Sequence, residues 1–111
     1  MTYRRIPLVA RGFLREPRLA LDSPAWFAWL EKATHFYYVA QHPLYRMTVR
    51  KEKRRHSFYW FAYVKMASKL HNAYLGKSET LTQQKLETVV VRLHRQAVQA
   101  AREAETAKAN A

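Results

Sequence analysis

The alternation of apolar and polar side chains predicts an antiparallel sheet in the middle of the chain. The segment Leu44–Lys53 alternates with the two-residue period of a half-buried strand. One of its faces is therefore expected to pack against a helix, and the other to meet water or a partner. The apolar positions are Tyr45, Met47 and Val49, and the polar positions are Arg46, Thr48 and Arg50.

Segments rich in β-branched and aromatic residues predict the neighbouring strands. Upstream, Met1–Leu21 is interpreted as an irregular or short-strand lead-in in which Val9–Leu14 is a candidate edge strand. The other predicted strands are Thr34–Val39, Ser57–Met66 and Lys69–Leu75, and the turns between them are Gln41–Pro43, Arg54–His56 and Ala67–Ser68.

The strand Ser57–Met66 carries aromatic rings on both faces, and periodicity alone leaves open which face is buried. We assign to the core the side that ends in Val64 and Met66. The core side is then Phe58, Trp60, Ala62 and Val64, and the other side is Tyr59, Phe61 and Tyr63.

Two helices flank the predicted strands. Asp22 or Ser23 can cap a helix over Ala25–Ala33, in which Trp26, Trp29 and Leu30 form an apolar face. Thr80 and Gln83 have the spacing of a capping box, and a long helix is expected from there. That helix is predicted over Leu81–Thr106 with an apolar stripe that turns to alanine, followed by a disordered tail Ala107–Ala111.

The order of elements predicts an α+β fold of one domain, residues 1–106. It consists of a short N-terminal helix, a three- to four-stranded antiparallel sheet, and a long C-terminal helix on one face of that sheet. A homodimer or a larger complex through the C-terminal helix is a further expectation, because the apolar stripe continues into alanines that could pair with another helix.

Charge indicates the kind of partner. The chain has 20 Lys and Arg against 8 Asp and Glu, a formal net charge of +12. A small domain with that surplus is typical of proteins that bind a polyanion. Between Leu44 and Lys77 there is one acid, Glu52, against nine basic residues. These are Arg46, Arg50, Lys51, Lys53, Arg54, Arg55, Lys65, Lys69 and Lys77.

One helix can cover one face of the predicted sheet, so the other face is the candidate nucleic-acid-binding surface. Arg46 and Arg50 are candidates for reading guanine edges in a duplex. The residues expected to contact phosphates are Lys53, Arg54, Arg55, Lys65 and Lys69. The same aromatic residues could instead stack unpaired bases, or the chain could be a basic adaptor subunit. The candidate residues are Arg46, Thr48, Arg50, Lys51, Lys53, Arg54, Arg55, Tyr59, Tyr63, Lys65, Lys69, His71 and Lys77.

Other classes of function have little support in the sequence. There is no cysteine, no His pair with zinc-ligand spacing among the five histidines, no Gly-rich phosphate loop and no cluster of carboxylates. We therefore expect neither an enzyme nor a cofactor or metal site. No apolar run is long enough to cross a membrane, so a soluble, cytoplasmic, nucleoid-associated protein is expected.

Several motifs resemble a recurrent bacterial module. They are Tyr59-Trp60-Phe61-Ala62-Tyr63, Tyr74-Leu75-Gly76-Lys77-Ser78-Glu79, Leu81-Thr82 and Lys85-Leu86-Glu87, preceded by Ser23-Pro24-Ala25-Trp26-Phe27-Ala28-Trp29-Leu30. The module is found in large LuxR-type, MalT-like transcriptional regulators of Chloroflexi. The order of strands and helix is also similar to that of the arm-binding domain of tyrosine integrases and the ethylene-response-factor DNA-binding domain. These resemblances imply a regulator or accessory factor that binds duplex DNA with its sheet.

Overall fold

The computed structural model describes residues 6–41 and 45–109, and within them the chain forms seven strands and two α-helices in an α+β arrangement. The strands join into one sheet in the order β3-β2-β1-β4-β5-β6-β7. The elements are β1 (Leu8–Ala10), β2 (Phe13–Leu14), β3 (Leu19–Ala20), α1 (Pro24–Lys32), β4 (His35–Val39), β5 (Arg46–Arg54), β6 (Ser57–Met66), β7 (Lys69–Gly76) and α2 (Gln83–Ala109).

The sheet is larger than the three to four strands predicted. The additional strands β1, β2 and β3 have two or three residues each, which is too short for a periodic pattern to show. The segment Val9–Leu14 is a hairpin rather than an edge strand. Its β1 half pairs in parallel with β4, with Val9 opposite Tyr38, so β1 lies inside the sheet.

The strands predicted in the middle of the chain are confirmed, and both hairpin turns are tight. Ala67 and Ser68 both have positive φ, as a two-residue type I′ turn requires. The turn between β5 and β6 is Arg55–His56, so Arg54 is the last residue of β5 and not part of the turn. Predicted residues His42, Pro43 and Leu44 lie outside the described residues.

The start of α1 is confirmed, and its cap is Ser23, whose hydroxyl accepts a hydrogen bond from the Trp26 amide at 3.2 Å. Asp22 binds the start of α2 instead. Its carboxylate accepts a hydrogen bond from the Gln83 amide at 2.8 Å, although 61 positions separate the two residues. The first residues of α2 are thus held by the segment that precedes α1.

The predicted capping box at the start of α2 is wrong. Ser78–Thr80 forms a short 3-10 turn, and the Thr80 hydroxyl donates to the Lys77 carbonyl instead of capping the helix. Thr82 takes that position, because its hydroxyl accepts a hydrogen bond from the Lys85 amide at 3.2 Å. The 3-10 turn postpones the start of α2 by two residues relative to the prediction.

Both helices pack on the same face of the sheet. The Trp26 ring of α1 meets the edge of Phe36 at a centroid distance of 5.6 Å, and its indole nitrogen donates to the Leu81 carbonyl at 2.9 Å. Phe36 in turn contacts Trp60 at 5.4 Å. The predicted anchor Trp26 is fully buried, and these rings form the centre of the core.

The predicted apolar stripe of α2 is confirmed over its first four turns. Towards its end the helix becomes exposed, and it extends to Ala109, three residues past the predicted end. Neither helix of the described ranges is long and apolar enough to cross a bilayer. The buried residues of α2 are Leu86, Val89, Val90, Leu93 and Ala97.

Candidate nucleic-acid interface

The side of β4–β7 that faces away from both helices is called here the open face. Along β6, Trp60, Ala62 and Val64 are buried beneath the helices, as the sequence predicted. Phe58 was assigned to the same buried side, and that assignment is wrong. Its side chain is 57% exposed, because it lies at the end of β6 where neither helix reaches.

The open face brings the polar side of β5 next to the aromatic side of β6. Since directly opposed residues of paired strands share a face, the register places Arg50 opposite Phe61 and Thr48 opposite Tyr63. The predicted residues on this face are Arg46, Thr48, Arg50, Arg54, Tyr59, Tyr63 and Lys65.

Basic side chains lie over the rings of the open face. The Arg54 guanidinium carbon is 5.0 Å from the centroid of Phe61, and that of Arg50 is 5.8 Å from Tyr63. Each such contact contributes about 0.5–1 kcal/mol at an exposed site. A guanidinium supported in this way loses less side-chain freedom when its N–H groups bind a ligand.

Lys77 joins this surface from beyond the end of β7. Its ammonium nitrogen is 5.9 Å from the Tyr59 ring centroid. The Tyr59 ring also contacts Tyr74 at 6.0 Å, and Phe61 meets Tyr74 edge-on at 5.5 Å. Tyr74 is 55% exposed, so part of this aromatic cluster is accessible from solvent.

Glu52 is the one acidic residue that β4–β7 place on the open face. Its Oε1 atom is 2.6 Å from Arg54 Nη2, and its Oε2 accepts a hydrogen bond from the Tyr63 hydroxyl. Glu52 and Phe61 were absent from the predicted site. The signal that could have found Glu52 is its spacing, because it alternates in step with Arg50 and Arg54 along β5.

The end of the β5–β6 hairpin, residues 52–59, projects beyond the rest of the sheet and is called here the arm. Pairing of β4 with β5 stops at Arg50, and pairing of β7 with β6 stops at Trp60. Beyond those points the described residues form only two strands. The four residues at the tip are all exposed, and they are Lys53, Arg54, Arg55 and His56.

Lys51 lies on the opposite side of the sheet, which contradicts its predicted place in the site. Its ammonium donates to the carbonyls of Leu30 and Glu31 at 2.6 and 3.0 Å, and so satisfies the last turn of α1. Burial lowers the pKa of Lys51, and the Glu31 carboxylate partly opposes that shift. Its amine is therefore used within the fold.

His71 is a second correction, since it is buried on the helix face opposite Val64. Lys53 and Lys69 are exposed, but the alternation along their strands places them on the helix side of the sheet and not on the open face. Arg55 lies at the tip of the arm between the two sides. The structure thus brings eight of the thirteen predicted residues onto the open face, leaves Lys53, Lys69 and Arg55 exposed but off it, and removes Lys51 and His71 to the helix face.

Comparison of the chain with family models, curated proteins and solved structures found no match. The functional interpretation therefore depends on the geometry of the open face and the arm. This surface holds cations over aromatic rings, one carboxylate, and a two-stranded projection with a basic tip.

Proposed function

We propose that the chain binds duplex DNA through the open face, with the arm in the major groove, as a transcriptional regulator or accessory factor. The observation that carries the proposal is the pair Arg50 and Arg54, each supported by an aromatic ring on a sheet face that neither helix covers. Arginines presented in this way are suited to bidentate bonds with guanine.

The shape of the arm fits this partner. A major groove about 12 Å wide admits a two-stranded β-ribbon, whose strands lie about 4.8 Å apart before side chains are added. The seven-stranded part of the sheet is too wide to enter the groove. It would lie over the phosphate backbones, with both helices on the far side from the DNA.

The basic residues around the arm divide by position. Arg54 lies on the open face of the arm and Arg50 immediately before it, and these two are proposed to reach base edges. Arg46 lies on the wider part of the sheet, which would rest over a phosphate backbone, so its predicted base contact is not retained. Lys53, Arg55 and Lys65 are exposed at the tip or towards the far end of the strands, where phosphates would pass. The net charge of +12 supplies the sequence-independent part of the attraction.

The test is a comparison of labelled duplex DNA, single-stranded DNA and RNA of one sequence across a salt series. We expect duplex DNA to bind most tightly, and log K to fall linearly with log salt concentration, by about 0.9 for each phosphate contacted. If the chain ignores all three at about 50 mM salt, the proposal is wrong and a basic protein–protein adaptor becomes the leading interpretation.

A second candidate function is the binding of single-stranded nucleic acid. The exposed Tyr74 ring favours it, because an accessible ring beside Tyr59 and Phe61 can stack an unpaired base. Substitution Tyr74→Ala separates the two candidates. It should weaken a single-strand binder by about 1–3 kcal/mol and leave duplex affinity nearly unchanged.

A further inference from the structure

Arg54 and Glu52 lie side by side on the open face of the arm, Glu52 where the arm begins and Arg54 at its tip. Arg54 Nη2 and Glu52 Oε1 are 2.6 Å apart, and the side chains are 58% and 26% exposed. The pair therefore presents a fork of donors next to a carboxylate acceptor, and a ligand can reach both. Two strand positions separate them, so both side chains project from the same side of β5.

This order of donors and acceptor matches one base pair in the major groove. A G·C pair shows two acceptors, guanine N7 and O6, followed by one donor, the cytosine N4 amino group. Guanine O6 and cytosine N4 are joined by an N–H···O hydrogen bond, which is about 2.9 Å long. The spacing of the Arg54 and Glu52 atoms is close to that distance.

We propose that Arg54 and Glu52 together read a single G·C base pair, in an inference that rests on the proposed binding of duplex DNA. Arg54 donates to guanine N7 and O6, and Glu52 accepts from the cytosine amino group. The carboxylate keeps free lone pairs for this bond, since an ionised carboxylate has about four acceptor sites.

The same pair disfavours an A·T base pair in this orientation. An A·T pair places the adenine amino group against the Arg54 donors and the thymine O4 acceptor against the Glu52 carboxylate. The first contact sets donor against donor, and the second sets acceptor against acceptor. A carboxylate in a basic surface also repels phosphates, so Glu52 lowers affinity for DNA in general while it raises discrimination.

The experiment begins with selection of bound duplexes from a random pool, using the wild-type chain, Glu52→Gln and the control Glu79→Gln. Glu79 is an exposed acid on the 3-10 turn, so both variants change the net charge equally. We expect the wild type and the control to enrich a G·C pair at one position. Glu52→Gln should bind duplexes at least as tightly but accept A·T there, with discrimination reduced about tenfold.

A second measurement needs no change in Glu52. Replacement of the selected guanine by 7-deazaguanine removes N7, and it should weaken the wild type about tenfold and leave Arg54→Ala unaffected. Thermal unfolding of each variant confirms that it is folded.

The outcomes separate the two proposals. If no duplex is bound, the proposed function itself fails. If duplexes are bound but Glu52→Gln selects the same sequence as the wild type, or 7-deazaguanine has no effect, the assignment of a G·C pair to Arg54 and Glu52 is overturned while duplex binding stands.

Discussion

The two faces of the sheet use the same kinds of side chain in different surroundings. On the helix face, Lys51 lies 5.2 Å from the Trp60 ring, and its amine satisfies backbone carbonyls of α1. On the open face, Arg54 lies 5.0 Å from the Phe61 ring, and its guanidinium remains largely exposed. Both are cation–aromatic contacts between neighbouring strands.

The same type of contact therefore has a different role on each face. On the helix face, the Lys51 ammonium is already hydrogen-bonded to carbonyls of α1, and the Trp60 ring is completely buried. On the open face, the ring positions the cation while most of its donors stay available. The helix face therefore contributes to stability, and the open face keeps hydrogen-bond donors accessible from solvent.

Adjacent residues of β6 on opposite faces should differ strongly in their contribution to the free energy of unfolding. Trp60→Ala should lower the free energy of unfolding by about 3–5 kcal/mol, because a fully buried ring and its bond to the Ser78 hydroxyl are lost. Phe61 is only partly buried, so Phe61→Ala should lower the free energy of unfolding by about 1–1.5 kcal/mol. Urea unfolding measures both, and equal losses would contradict the division between the faces.

The next effect concerns binding. Arg50→Ala should weaken duplex DNA binding by about 1–3 kcal/mol, because one base contact is lost, and lower stability by no more than about 1 kcal/mol through loss of the contact with Tyr63. The matched control is Arg92→Ala, an exposed arginine on α2, away from the open face. Fluorescence anisotropy at fixed salt gives the affinities. A control that weakens binding as much as Arg50→Ala would indicate diffuse charge attraction and not a defined surface.

Lys51 and Lys53 lie two positions apart on β5 and should differ in their effects on stability and binding. Lys51→Met should lower stability by about 1 kcal/mol, because two carbonyls at the end of α1 lose their donor. Lys53→Met should not change stability, but it should reduce the slope of log K against log salt by about 0.9 if Lys53 contacts a phosphate. The opposite pattern would place Lys51 in the binding surface after all.

A further prediction concerns pH and compares adjacent tyrosines of β4. Burial and the hydrogen bond to Glu87 raise the pKa of Tyr38 above its usual value of 10.0. Above pH 10 the unfolded chain therefore loses this proton while the folded chain keeps it. Stability should fall by up to about 1.4 kcal/mol per pH unit from this group.

Thermal unfolding between about pH 8 and 11.5 measures this dependence, because that range includes the ordinary tyrosine pKa of about 10. Tyr38→Phe should flatten the decline above pH 10, whereas Tyr37→Phe, on the open face of the same strand, should follow the wild type. A wild type whose decline matches that of Tyr38→Phe would refute the role of Tyr38.

The middle of the fold could be predicted because its strands are long enough for alternation to show. The period of two along β5 and the aromatic run of β6 gave the correct strands, and the ends Val64 and Met66 indicated the buried side. The strands β1–β3 could not be found in this way. Two or three residues hold at most one inward position, and tertiary pairing decides whether they are strands.

The candidate site was predicted less well, because charge alone says nothing about the direction of a side chain. Lys51 shares the alternation of Met47 and Val49, so its place on the helix face was available from the sequence. Phe58 shows the reverse case. Phe58 has the same position in the alternation as Trp60, and yet it is exposed. The core ends where the helices end, and the pattern of the strand does not show that limit.

The hydrogen bond from the Gln83 amide to Asp22 has a consequence for the order of folding. The N-terminus of α2 obtains this acceptor only after the segment preceding α1 has docked, so the last helix and the first third of the chain depend on each other. During synthesis the Asp22 carboxylate emerges from the ribosome long before its partner. Completion of the fold therefore waits for the final third of the chain, and the contact is of the long-range kind that slows folding.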